Sequence, residues 1–183
     1  MDYRSAASLI KEAVPRASAT WADLGAGTGT FTLALASLLG AGSRVIAVDT
    51  DLAALSELEA ATLRAAPIAE VITLMGDFRE PLDLPPLDGL LLANALHFVS
   101  VREQSSVLSR LVKYVRPGGR LLVVDYDGRR ANTWVPFPVS SRRFGELLRE
   151  LGLPAPTMLG QRPSRYGGSI YAAWCAVSGS TSA

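Results

Sequence analysis

Three glycines alternating with small residues, Gly25, Gly27 and Gly29, separate two apolar runs, TWADL (20–24) and FTLALASLL (31–39). The first run has strand length and the second helix length, so the unit reads as strand, tight loop, helix. Missing side chains open backbone angles closed to other residues and let another group approach the chain. The first N–H groups of the following helix lack partners and lie at its positive end. Taken alone, the loop is as well explained by a tight turn as by a ligand cradle. It does constrain the fold, because a strand feeding a helix through a short turn builds parallel sheet.

The rest of the chain repeats that alternation. SAASLIKEAV (5–14) reads as an opening helix stopped by Pro15, and RVIAVD (44–49) as a buried strand. Asp51 is placed to cap a helix running to about Arg64, and AEVITLMGD (69–77) and LDGLLLAN (87–94) read as the next strands. Ser100 and Glu103 have capping-box spacing for a helix to about Val115, which Arg116-Pro117-Gly118-Gly119 would stop. RLLVVDY (120–126) reads as a fifth strand, 127–139 as an irregular loop and SSRRFGELLRELG (140–152) as a helix. Strand patterns at 156–161 and 169–177 are joined by a link too short for a crossover, so they should pair as an antiparallel hairpin. The predicted fold is α/β: an open, doubly wound, mostly parallel sheet with helices on both faces. It forms one domain over 1–183, with residues 1–15 as a helix able to cover the pocket and 178–183 as a frayed tail.

Composition narrows the function classes. Apolar residues make up 49 % of the 183 residues and charged residues 19 %, enough for a substantial core. No apolar run approaches the ~20 residues of a membrane span, and the N-terminus lacks secretory-signal architecture, which points to the cytoplasm. One cysteine, Cys175, and one histidine, His97, leave no cysteine cluster or two-histidine metal site. A net charge of +1 does not call for a nucleic-acid partner. The late arginines 129, 130, 142, 143 and 149 interleave with Glu146 and Glu150, as on a solvated loop and helix face.

In doubly wound sheets, ligands bind beyond the carboxyl ends of the strands. The residues there are Gly25, Asp49, Asp77, Asn94 and Asp125. Asp49 ends the second strand, where a carboxylate can accept from both hydroxyls of a ribose; the helix-capping alternative is better filled by Asp51. An adenosine-containing ligand follows. A dinucleotide loop would space its glycines G-x-G-x-x-G, but here the third glycine comes early. Asp23, just before the loop, would repel a pyrophosphate and suit a cationic amino group. Asp77 can accept from an adenine amine, and Phe78 can offer its backbone N–H or its ring.

With these pieces in order, DLGAGTG, VIAVD, GDF, LDGLLLANALHFV and VRPGGRLLVVDYD, the chain resembles the class I S-adenosylmethionine-dependent methyltransferases over residues 20–177. It looks nearest to the small type 11/25-like members found in quinone-biosynthesis and small-molecule methylation. The resemblance implies a Rossmann-like seven-stranded sheet of order 3-2-1-4-5-7-6 with a reversed last strand. It also implies S-adenosyl-L-methionine as cofactor and S-adenosyl-L-homocysteine as product. By the same resemblance, Gly25, Ala26, Gly27 and Gly29 lie against the methionine portion, with Asp23 near its ammonium. Asp49 and Thr50 sit at the ribose and adenine, Asp77 and Phe78 at the adenine edge, and Asn94 at the methionine end. Thr50 departs from the larger apolar residue often found there.

Methyl transfer asks mainly for positioning and exclusion of water. His97 is the candidate base, since imidazole ordinarily exchanges protons near neutral pH, with packing or substrate orientation as the alternative. Tyr126, Trp134, Phe137, Arg165 and Tyr166 are the candidate acceptor contacts, implying an apolar or aromatic small molecule with an anionic group for Arg165. Asn94 is not followed by Pro-Pro-Tyr/Phe, which argues against nucleobase or glutamine amines as acceptors. RNA methylation, a nicotinamide oxidoreductase and a non-catalytic S-adenosylmethionine-binding protein are the competing readings.

Overall fold

A computed structural model describes residues 1–128, 130–164 and 168–178. Seven strands form one sheet: β1 (Thr20–Leu24), β2 (Arg44–Asp49), β3 (Glu70–Met75), β4 (Leu87–Ala93), β5 (Val115–Asp127), β6 (Thr157–Pro163) and β7 (Ser169–Ala176). Their order is β3-β2-β1-β4-β5-β7-β6. The first five are parallel, and β7 runs antiparallel to both β5 and β6. The expected order and hairpin are therefore present. The helices are α1 (Tyr3–Ile10), α2 (Thr30–Leu38), α3 (Leu52–Ala65), α4 (Gln104–Leu111) and α5 (Ser141–Glu150).

Period-two alternation along the strands divides the core between the two faces. Leu90, Leu92, Leu121, Val123 and Tyr171 pack with Leu108 and Leu111 of α4 and Phe144 and Leu147 of α5. Trp21, Leu91, Leu122, Val124 and Ala172 face Ile10 of α1 and Leu35 of α2. Gly89 makes room for Trp21, since a Cβ there would lie 2.2 Å from the indole. The end of the N-terminal segment is pinned to the sheet: Arg120 donates to the Ala13 carbonyl at 2.7 Å and lies over the Trp174 ring.

Two local expectations are corrected. Asp2 caps α1, accepting from Ser5 N–H, so that helix starts earlier than residue 5. Ser100 does not form a capping box, because its hydroxyl donates to the Glu103 carboxylate instead, and α4 begins at Gln104. The helical segment ends before Arg116 as expected, and Arg116–Gly119 goes on as part of β5: Gly118 N–H donates to Val177 O, Val177 N–H to Gly119 O, and Arg116 pairs with Asp88 at 2.7 Å. These pairings come from distant segments, so local pattern does not reveal them.

Candidate functional site

A cleft of about 910 Å³ crosses the carboxyl ends of the strands. The glycine loop forms its floor. Gly25 and Ala26 N–H groups both donate to Val48 O, which folds the loop back onto the end of β2. The three glycines serve different needs. A Cβ at Gly25 would lie 2.6 Å from the Ala95 Cβ, so the absent side chain lets the Ala95 methyl pack against the loop. A Cβ at Gly29 would meet Leu58 Cδ1 at 2.1 Å, so this glycine, at φ +88° ahead of α2, lets α3 pack close. A Cβ at Gly27 would meet nothing within 4 Å, and Gly27 lines the cleft.

Asp49 stands at the end of β2. Its Oδ2 accepts from Gly27 N–H at 2.7 Å and its Oδ1 from Asp51 N–H at 3.0 Å. Each oxygen keeps a second lone pair, enough for two hydroxyl donors. Asp51 caps α3, accepting from Ala53 and Ala54 N–H, while Asp49 lines the cleft. Thr50 lines the same wall.

Asp23 is buried at the cleft floor. Thr32 Oγ1 donates to its Oδ2 at 2.7 Å, while its Oδ1 is buried with no hydrogen-bond partner. Burial, reinforced by the nearby Asp49 charge and only partly offset by Thr32, pushes its carboxyl up to about 7. Asn94 lines the cleft too, in a left-handed backbone (φ +54°), and its side-chain oxygen is likewise buried without a partner. Two orphaned oxygens on residues that line one cavity fit a ligand that donates from a cationic amino group.

Asp77 and Phe78 line the cleft beyond β3. Arg79, absent from the sequence expectations, grips Asp77 with Nε and NH2, the shortest contact being 2.7 Å, and donates its own backbone N–H as well. This fork holds the Asp77 carboxyl below its usual range. An adenine amine at Asp77 would share the carboxylate with Arg79. An Asp-x-Arg spacing is visible in the sequence and was the available signal.

His97 follows β4, in a short turn whose ring is 2 % exposed and does not line the cleft. Its Nδ1 lies 2.8 Å from Asp125 Oδ1, which also accepts from Tyr126 N–H. Burial raises the Asp125 carboxyl, with His97 acting against that shift. The His97 ring packs against Phe98 and Tyr126, centroids 4.5 and 5.7 Å away, and these two side chains line the cleft in its place.

Of the remaining acceptor candidates, Trp134 and Phe137 lie away from the cleft. Trp134 is 79 % exposed in a turn closed by Asn132, and Phe137 N–H donates to His97 O. Arg165 and Tyr166 fall outside the described residues. The far wall is built instead by Met1, Ser5, Arg162, Pro163, Ser164 and Ile170. Among the late arginines, Arg142 pairs with Glu146 and Arg143 with Glu150, as on a solvated helix face. Among the described residues no group of three His, Cys, Asp or Glu is placed to hold a metal, and no helix is long and apolar enough to cross a membrane.

Residues 22–119 match the family described as "Methyltransferase domain". No curated protein matches the chain. Among solved structures, a SAM-dependent methyltransferase from Aquifex aeolicus superposes with a TM-score of 0.73 at 19 % identity, over 94 % of this chain and 89 % of that one. The 1,6-didemethyltoxoflavin-N1-methyltransferase of Burkholderia thailandensis, solved with 1,6-didemethyltoxoflavin and S-adenosylhomocysteine, gives 0.75 at 22 % identity over 97 % and 78 %. The mitomycin 7-O-methyltransferase MmcR gives 0.69 at 20 % identity over 94 % of this chain, which spans about half (53 %) of that protein. At these identities the superpositions establish a shared fold.

Proposed function

The chain belongs to the methyltransferase domain family, and from that premise we propose that it is an S-adenosylmethionine-dependent methyltransferase acting on a small-molecule acceptor in the cytoplasm. The observation that carries this reading is the Asp23–Gly27–Asp49 floor: a buried carboxylate with an orphaned oxygen, an open glycine and a ribose-competent acid facing one cleft. Asp23 and Asn94 would receive the amino-acid end of the cofactor, Gly25, Ala26 and Gly27 its chain, Asp49 and Thr50 the ribose side, and Asp77 and Phe78 the adenine edge. Gly29 supports the loop through Leu58. A dinucleotide would set its pyrophosphate against Asp23, so the nicotinamide reading is disfavoured.

The bound cofactor supplies a methyl group already activated by its positive sulfur. The chain's part is to hold an acceptor in line with that methyl and keep water out. Phe98 and Tyr126 wall the acceptor side. His97, braced by Asp125, is read as a positioning residue that sets these two rings, in preference to a base in direct contact with the acceptor. Incubation with methyl-labelled S-adenosylmethionine and a small-molecule extract tests the activity. Label transfer to a small product supports the reading; transfer only to RNA favours the RNA alternative.

A further inference from the structure

We infer that Arg162 anchors an anionic oxygen group on the acceptor, and that the acceptor is a small apolar or aromatic acid. This rests on the reading of the cleft as a methyl-transfer site and names the acceptor class that site takes.

Arg162 lies on β6, opposite Ile170 of β7 in the antiparallel register, and both line the cleft. Its neighbour Gln161 is committed elsewhere, donating to Asp127 at 2.8 Å. Among the described residues no carboxylate pairs with Arg162; its hydrogen bond goes to the neutral Ser8 hydroxyl at 3.3 Å. The other arginine among the described residues of the cleft, Arg79, is neutralised by Asp77. Arg162 is therefore a cation available to a ligand.

Charge is segregated along the cleft. Asp23 and Asp49, beside the self-neutralised Asp77–Arg79 pair, occupy the β1–β3 end, whereas Arg162 stands at the β6 edge. β1 and β6 are four strand spacings apart, roughly 19 Å, which leaves length for a cofactor and an acceptor side by side. An anion at the acidic end would be repelled, and the same anion at Arg162 meets a planar fork suited to carboxylate. Between the two ends stand Phe98, Tyr126 and Ile170, a largely apolar stretch that favours a flat, apolar body.

Calorimetry on the full chain tests this in two stages. S-adenosylhomocysteine is titrated first, and absence of binding there fails the cofactor reading, separately from the acceptor inference. The loaded protein is then titrated with benzoate, 2-naphthoate and indole-3-carboxylate, each against its methyl ester, and with phenyl phosphate to separate carboxylate from phosphate preference. At least one acid should bind about tenfold or more tighter than its uncharged counterpart, as a charge-assisted fork requires. Arg162→Gln should reduce that acid to the level of its ester while leaving S-adenosylhomocysteine affinity and Tm unchanged, and Arg162→Lys should restore part of the preference. Equal binding of acids and esters, no binding by any acid, or a preference that survives Arg162→Gln would overturn the inference.

Discussion

Asp49 Oδ2 accepts a hydrogen bond from Gly27 N–H at 2.7 Å, tying the end of β2 to the middle of the glycine loop. One carboxylate thus shapes the loop and presents free lone pairs to the cleft. Asp49→Ala should lose hydrogen bonds to a charged acceptor of about 1.5–3 kcal/mol each. A calorimetric affinity for S-adenosylhomocysteine at least roughly tenfold weaker is expected. Unchanged affinity would remove Asp49 from the ribose.

Gly27 and Gly29 should separate stability from binding. Alanine at either accepts a left-handed backbone at about 1–2 kcal/mol. At Gly29 the methyl also collides with Leu58, adding about 1–3 kcal/mol of overpacking. Gly29→Ala should therefore lower Tm more than Gly27→Ala, while Gly27→Ala should weaken the cofactor more than its Tm change accounts for. Thermal melts and calorimetry on both variants check the order, and the reverse ranking contradicts it.

Asp23 sets a pH dependence. Its folded carboxyl sits at about 7, above the ordinary 3.8, because burial disfavours the charge. The folded protein then holds a proton that the unfolded chain releases. The stability Asp23 contributes is complete below about 4 and is lost as pH rises through about 7. Binding of a cationic amino group favours the ionised form. Cofactor affinity should therefore rise between about pH 5.5 and 7.5, with proton release below about 7 visible as a buffer-dependent heat. Asp23→Asn should flatten that dependence; an unaltered profile would detach Asp23 from the ammonium.

His97 is buried against Asp125, so His97→Ala leaves a cavity and a buried carboxylate with only the Tyr126 N–H as donor. The two effects together should cost about 3 kcal/mol, roughly a 6–12 °C fall in Tm. Cofactor affinity should hold, and turnover should fall through the displaced Phe98 and Tyr126 rings. The pH profile of kcat in His97→Gln separates the roles. A positioning residue leaves the profile's shape intact, and a base removes its acidic limb.

Much of this arrangement is legible in local pattern. Apolar runs of strand length, each ending in Gly25, Asp49, Asp77, Asn94 or Asp125, point to the parallel sheet and to the edge where its ligand sits. Asp51 shows by spacing that Asp49 is spare. The features that were not legible depend on residues far apart in sequence. Nothing near Gly29 reveals that Leu58 fills the space above it, and nothing near His97 reveals Asp125. Trp134 looks like a pocket aromatic by type but is exposed on a bridged turn. The hairpin pattern does not show which face of β6 meets the cleft, so it does not single out Arg162.

The most direct measurement is calorimetric titration of the full chain with S-adenosylhomocysteine and, separately, with NAD at pH 7.5. A saturable one-site isotherm for S-adenosylhomocysteine, lost or strongly weakened in Asp49→Ala, and no binding of NAD is the expected result. Binding of NAD without S-adenosylhomocysteine would contradict the account.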